Sequence, residues 1–280
     1  MTLPNNFHFT QSSLQDYLEC QRRFELRYLL RVKWPARVVD DPQEYRVWME
    51  LGSRFHALLH RYFLGISPGL LEKSIEDGTL RLWWQQFIDW WESEGYTGKT
   101  YPEYTLYSTL NGYKLAAKYD LLLCQEDGRI LIFDWKTSQK RTPRSHLDGR
   151  IQTRLYPLVA AQAGAELNHG NAVHPEDLEM LYWFANHPQD GVLFPYSAAR
   201  MQQDLAHIEK TVAEIQAKRP GEFALTADHK RCTFCPYRTL CDRDEQPGDW
   251  MEMQDSQGED YTALLNDFEN ELDQIGEAWL

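Results

Sequence analysis

The run Ile130-Leu-Ile-Phe-Asp134-Trp-Lys136 is apolar until its far end, where an acid and a base stand two residues apart. In a strand, alternation sends Ile132, Asp134 and Lys136 to one face. There the carboxylate can hold a divalent cation. The ammonium can stabilise developing negative charge or orient an attacking water, which suits phosphodiester hydrolysis. Taken alone, Asp-x-Lys fits a solvated strand end with a surface ion pair better.

Asp120 shifts the balance, provided that it shares a face with Asp134. A two-residue turn at Asp127-Gly128 would pair Glu126 with Arg129 and put Asp120 opposite Trp135. A three-residue loop, Glu126-Asp127-Gly128 with a left-handed Gly128, pairs Gln125 with Arg129 and Asp120 with Asp134. The three-residue loop is the expectation. His56 and His60 share a helix face in Gly52-Ser-Arg-Phe-His56-Ala-Leu-Leu-His60, as metal-binding histidines do, although a packed or capping histidine is the commoner case. Gln152 and Tyr156 share another helix face, within reach of a nucleotide or simply packed.

These residues need elements to hold them. The spacing predicts helices over Thr10–Leu30 (capped by Thr10 or Ser12, with Leu14, Leu18 and Phe24 apolar), Pro42–Leu64 and Leu80–Trp91. Trp83, Phe87, Trp90 and Trp91 then form a stripe that reads as core. Strands follow at Tyr104–Ser108, Tyr113–Cys124 and Arg129–Trp135. A helix over Ser145–Ala163 opens on a Ser145-x-x-Asp148 capping box and contains Pro157, which removes one helical hydrogen bond. A strand at Leu178–Asn186 and an amphipathic helix at Ala198–Lys218 complete an α/β core with a helical lobe at about 60–100. Gly95-Tyr-Thr-Gly98-Lys99-Thr100 imitates a phosphate loop but has Ser93 where glycine is required, and no strand precedes it.

The 280 residues carry a net charge of −13, unevenly placed. Ten acids and no lysine or arginine lie in 246–280, so the body is close to neutral. Lys136, Lys140, Arg141, Arg144, Arg150 and Arg154 are opposed locally only by Asp148, a strip that serves phosphate binding or is an ordinary solvated face. In the tail, Tyr261, Leu264, Leu265, Phe268, Leu272, Ile275 and Trp279 are spaced for a last helix. It either packs on the body or lays its acidic side over the basic strip. No apolar run spans a bilayer and no signal sequence opens the chain, so a soluble, cytoplasmic protein without membrane contact is expected. Disulfides are then disfavoured for its five cysteines, and metal or cluster ligation leads. Cys232-x2-Cys235-x5-Cys241 lacks a nearby fourth ligand. Cys20 is the obvious one, and four thiolates hold either zinc or an iron–sulfur cluster. Cys124 reads as an inert strand thiol.

In the order Gly52-x3-His56, Asp120, Asp134-x-Lys136, Gln152-x3-Tyr156, the chain resembles the RecB-like nucleases of the PD-(D/E)XK superfamily. The resemblance implies a restriction-endonuclease-like core, a central mixed sheet flanked by helices, and DNA cleavage in repair, recombination or mobile-element defence, expected as exonuclease action on single strands or ends. It implies that His56, Asp120, Asp134 and the Trp135 carbonyl bind Mg²⁺ or Mn²⁺, and that Lys136 is the catalytic lysine. Gln152 and Tyr156 would support substrate binding, with Glu103 an auxiliary acid. The lone Cys20 before Arg22-Arg23-Phe24 is similar to the cluster-bearing branch, which includes AddB-type nuclease domains and CRISPR-associated adaptation nucleases. That likeness implies a 4Fe-4S cluster on Cys20, Cys232, Cys235 and Cys241 clasping both ends of a single nuclease domain (1–245). It covers about half the chain, and Tyr119 stands where the superfamily name suggests proline. A catalytically silent DNA-binding or scaffolding subunit with a protein partner is the alternative. So is a zinc-stabilised protein unrelated to nucleic acid.

Overall fold

The computed structural model describes residues 3–4, 6–32, 39–40, 42–243 and 246–249, so the expected tail helix lies outside the described residues. The chain runs β1 (His8–Phe9), α1 (Gln11–Glu19), α2 (Gln21–Phe24), α3 (Pro42–Phe63), α4 (Pro68–Lys73), α5 (Gly78–Glu94), β2 (Lys99–Leu110), β3 (Tyr113–Cys124), β4 (Ile130–Lys136), α6 (Arg144–Gly149), α7 (Ile151–Ala163), β5 (Leu178–Phe184), β6 (Val192–Pro195) and α8 (Ala198–Ala217). Among the described residues no helix is long and apolar enough to cross a membrane.

The sheet is mixed. β3 pairs antiparallel with β2 along its length except at Asp120, while β1 (parallel, at Lys114 and Leu115) and β4 (antiparallel, at Leu121–Cys124) share its other edge at different levels. β5 continues parallel to β4, and β6 closes antiparallel. On one face Leu14, Leu115, Ile132, Leu155, Ile208 and Val212 join a core with α1, α7 and α8. On the other, Phe55, Trp83, Phe87 and Trp90 of α3 and α5 pack on Phe133, Trp135 and Trp183. An α/β/α arrangement results, the mixed sheet flanked by helices that the family resemblance implies, with the tryptophan stripe in the core.

Two predicted helices are broken. Thr10 caps α1 through a reciprocal box with Ser13, 3.2 Å from Ser13 N–H to Thr10 Oγ1 and 2.9 Å from Thr10 N–H to Ser13 Oγ. The helix then stops at Cys20, which is extended at φ −158°, ψ 105°. A short α2 and a π-helical turn at Glu25–Leu29 follow, and Leu18 is exposed. The cause is tertiary: Arg22 N–H donates to the Ala224 carbonyl at 3.0 Å, docking this segment on the C-terminal region. The Ser145 capping box does not form either. α6 starts at Arg144 behind Pro143, and Arg150 is extended before α7. Gln15 Oε1 accepts the Ile151 N–H at 3.1 Å, a cap supplied from α1. α7 runs on through Pro157. β2 begins five residues before the expected strand, at the Lys99 of the false phosphate loop. β1 and β6, two and four residues long, are too short for alternation to signal.

The turn after β3 is the predicted one. Gln125 N–H donates to Arg129 O at 2.9 Å and Gly128 N–H to Gln125 O at 3.1 Å, with Gly128 at φ +89°. Leu121↔Phe133, Leu122↔Ile132 and Cys124↔Ile130 set the register, and the next pair in that register, just past the end of the ladder, is Asp120 and Asp134.

Candidate active site

The two longest strands change face together at one level. On β3, Leu115, Ala117 and Tyr119 point into the α7 core, whereas Leu121 and Leu123 point into the α3/α5 core. On β2, Tyr101 and Tyr104, three residues apart, both lie on the α7 side. Between them Glu103 adopts φ +49°, a left-handed conformation costly for a residue with a side chain. The register would set Glu103 opposite Asp120, and both drop out of the ladder. Freed from it, Asp120 uses Oδ2 to accept the Trp135 N–H at 2.8 Å, tying β3 to β4.

α3 brings His56 to this break. His56 Nδ1 lies 3.4 Å from Asp120 Oδ1. Ligand atoms of His56, Glu103 and Asp120 all lie within 4.8 Å of one another, the only such group of potential metal ligands among the described residues. The donor set, one imidazole and two carboxylates, fits a hard divalent cation. Burial pulls the His56 imidazole down, but the carboxylates of Asp120, Glu103 and Asp134 outweigh it and push it up to about 9. Burial raises Asp120, and this is outweighed by His56, the Trp135 N–H and Lys136, which hold it below the usual carboxylate range. The site is therefore rich in negative charge, held by protons and lysines where a cation would sit. Lys118 also reaches Glu103, at 2.8 Å.

Alternation on β4 is as predicted. Asp134 and Lys136 leave the strand on the α7 side, Phe133 and Trp135 on the other. Lys136 Nζ lies 2.8 Å from Asp134 Oδ2 and donates to Gln152 Oε1 at 3.5 Å, while Gln152 Nε2 donates to Asp134 Oδ1. Gln152 and Tyr156 are buried in α7, with their polar groups turned toward this pair. Burial first, then Asp134 and Asp120, lift the Tyr156 hydroxyl well above its ordinary value, so it stays neutral.

Gly52, one helical turn before His56, is where α3 touches the strand end. A Cβ there would stand 3.0 Å from Thr137 Oγ1. Gly52→Ala is expected to lower stability, despite the roughly 1 kcal/mol that alanine gains over glycine inside a helix. In a Thr137→Ala background the same change should become stabilising. Urea melts of the four proteins in this cycle check the sign reversal.

Some residues carry no sequence signal. Asn186 receives the Trp83 indole N–H at 2.9 Å and donates to the carbonyls of Thr137 (3.1 Å) and Ser138 (2.9 Å), fixing the chain just after Lys136. Glu103 was expected as an auxiliary acid from the family resemblance alone, because its left-handed backbone cannot be read from composition. The basic strip is not one face. Arg150 is buried, Arg154 is paired at 2.7 Å with the fully buried Asp204, and Arg141 and Arg144 donate to the carbonyls of Asp190 and Leu193. Only Lys140, Arg141 and Arg144 of the strip are exposed.

The four cysteines expected to form a clasp lie on segments that pack together. Cys20 stands in the break between α1 and α2. Cys232 and Cys241 end two short 3₁₀ turns (His229–Cys232 and Arg238–Cys241), and Cys235 is buried between them. The Cys232 and Cys241 thiols are raised by burial first and then by Cys20. Cys235 is pushed up to about 11 by burial, with Cys20 contributing. Cys20 thus acts electrostatically on each of the other three, but no three of these sulfurs lie within 4.8 Å of one another, so the expected clasp is not assembled among the described residues. Independent contacts join the same segments: Arg231–Glu19 at 2.8 Å, Gly221 N–H to Glu25 Oε1 at 2.7 Å, and Tyr237 O–H to Val32 O at 3.3 Å. Cys124 lies apart, its thiol raised to about 11 by burial.

The family model described as the PD-(D/E)XK nuclease superfamily matches residues 8–242. Among solved structures, a putative exonuclease from Eubacterium rectale is 14% identical, with a TM-score of 0.44 over 74% of this chain and 79% of that one. The crystal structure of SSO0001 is 12% identical, with a TM-score of 0.38 over 84% and 85% of the two chains. No curated protein matches. With the family model spanning both the sheet that carries the Asp134–Lys136 pair and the cysteine-bearing ends, the chain belongs to the PD-(D/E)XK nuclease superfamily.

Proposed function

We propose that the protein is a metal-dependent deoxyribonuclease that hydrolyses phosphodiester bonds, acting as an exonuclease on single strands or DNA ends. One observation carries this reading: His56, Glu103 and Asp120 converge to within 4.8 Å beside a buried Asp134–Lys136 pair. A scaffold has no need of that convergence, and a left-handed Glu103 is a cost kept where it serves a site. Asp134 and the Trp135 carbonyl would complete the ligand set for Mg²⁺ or Mn²⁺ with His56 and Asp120.

Bound there, a divalent cation would polarise the phosphoryl oxygen and lower the pKa of an attacking water. The chain supplies the rest. Lys136 offers a fixed positive charge to the oxygens that gain charge as the phosphorus is attacked. Gln152 and Tyr156 act from behind the pair, holding its rotamers, and the exposed Lys140, Arg141 and Arg144 offer charge to the DNA backbone. At the other end, Cys20, Cys232, Cys235 and Cys241 would hold a 4Fe-4S cluster as a structural clasp. Repair, recombination or mobile-element defence is the setting that suits such an enzyme.

The test is cleavage of labelled linear and closed-circular DNA by anaerobically purified protein. Linear DNA should be degraded from its ends with Mg²⁺ or Mn²⁺, and chelator should stop it. Circular single strands should survive. Cutting of circles would replace exonuclease by endonuclease action, and cleavage that persists in chelator would remove the metal from the account.

A further inference from the structure

Tyr182 lies on β5 directly alongside Asp134 in the parallel pairing with β4. It is fully buried, and its ring sits under the lysine side chain, with Lys136 Nζ 5.5 Å from the ring centroid. Its hydroxyl is 2.7 Å from Thr153 Oγ1. The Thr153 hydrogen is already committed to the Leu147 carbonyl, so the tyrosine is the donor. Phe194 packs against the ring edge-on, with centroids 5.9 Å apart. Thr153 is the sequence neighbour of Gln152, so a single turn of α7 fixes both the ring and the amide that face the lysine.

We propose that Tyr182 is a positioning residue for Lys136. Its ring face is the third wall of a seat whose other walls are the Asp134 carboxylate and the Gln152 side-chain oxygen. An ammonium on a four-carbon stem is strongly hydrated and mobile, and one carboxylate does not fix its direction. A buried aromatic face attracts the cation without neutralising it and without competing for a divalent metal. The ring matters most when Asp134 turns to a metal and the 2.8 Å contact with Lys136 is lost, since Tyr182 and Gln152 still flank the ammonium.

The inference rests on the nuclease reading, so its test has one arm that needs no activity. With ¹³C-labelled lysine, and Lys136→Arg to assign the signal, the Lys136 ε-methylene resonance should be displaced by the ring current in the wild type and in Tyr182→Phe. It should return to an ordinary position in Tyr182→Leu. In single-turnover cleavage of a labelled oligonucleotide with Mn²⁺, Tyr182→Leu should be about tenfold slower at saturation, with DNA KM and Mn²⁺ affinity unchanged. Tyr182→Phe should stay near wild type. A Lys136 resonance that ignores the ring, a Tyr182→Leu enzyme as fast as wild type, or a phenylalanine variant as impaired as the leucine one would overturn the proposal. Wild-type protein without any cleavage would count against the nuclease reading, and the spectroscopic arm would still decide the seat. Thermal melts establish that each variant is folded.

Discussion

Lys136→Ala is expected to slow DNA cleavage by about 10²–10³-fold, the scale seen when one preorganised charge-stabilising donor is removed, while Mn²⁺ binds more tightly. The two effects have one origin. Without a cation, the ammonium occupies the Asp134 carboxylate at 2.8 Å and competes for the oxygen that a metal would use. Deleting it removes the cation that pairs with this buried carboxylate. Losing one partner of a buried pair costs on the order of 3–5 kcal/mol, so metal-free Lys136→Ala should melt earlier than wild type and recover much of the loss when Mn²⁺ is added. Calorimetric Mn²⁺ titration, melts with and without Mn²⁺, and single-turnover rates measure all three. If Lys136→Ala binds Mn²⁺ more weakly, the lysine is needed to shape the metal site rather than to serve the chemistry.

Cys20→Ser should have the largest effect on stability. The proposed centre shared by Cys20 and Cys232 would close a loop of roughly 200 residues, and loop-entropy arithmetic for a crosslink of that length gives about 5 kcal/mol. For a domain of this size that corresponds to a fall in Tm of roughly 10–20 °C. Iron per chain should drop together with the brown colour. The folded state should survive at low temperature, because Arg231–Glu19, Gly221–Glu25 and the Leu26, Cys235 and Tyr237 packing still join the ends. Wild-type preparations that are colourless, contain zinc and lack iron would assign the thiols to zinc. Unchanged stability in Cys20→Ser would detach Cys20 from the other three.

What could be read from the sequence is what depends on local rules. Gly128 permits a three-residue turn, that turn fixes the β3–β4 register, and alternation then decides which side Asp134 and Lys136 leave the strand. The tryptophan stripe on α5 was legible as core for the same reason, its helical spacing. What could not be read depends on partners distant in the chain. The helix from Thr10 stops at Cys20 because Ala224 takes the Arg22 N–H, and α7 begins at Ile151 because Gln15 caps it. Glu103 enters the site only because β2 and β3 change face together, an event without a residue signature. Tyr182 and Asn186 matter through register and a loop contact that exist only after β5 has paired with β4. The basic strip misled because charge counted along the chain ignores Asp204, brought to Arg154 by α8.

The most direct measurement is the single-turnover rate of cleavage of a labelled single-stranded oligonucleotide in Mn²⁺, for wild type and for Asp134→Ala proved folded by its melt. The wild type should cleave, and Asp134→Ala should be slower by roughly a thousandfold or more, since on the proposed mechanism it would lose both a metal ligand and the ion-pair partner of Lys136. Equal rates for the two proteins would contradict a site built on the Asp134–Lys136 pair.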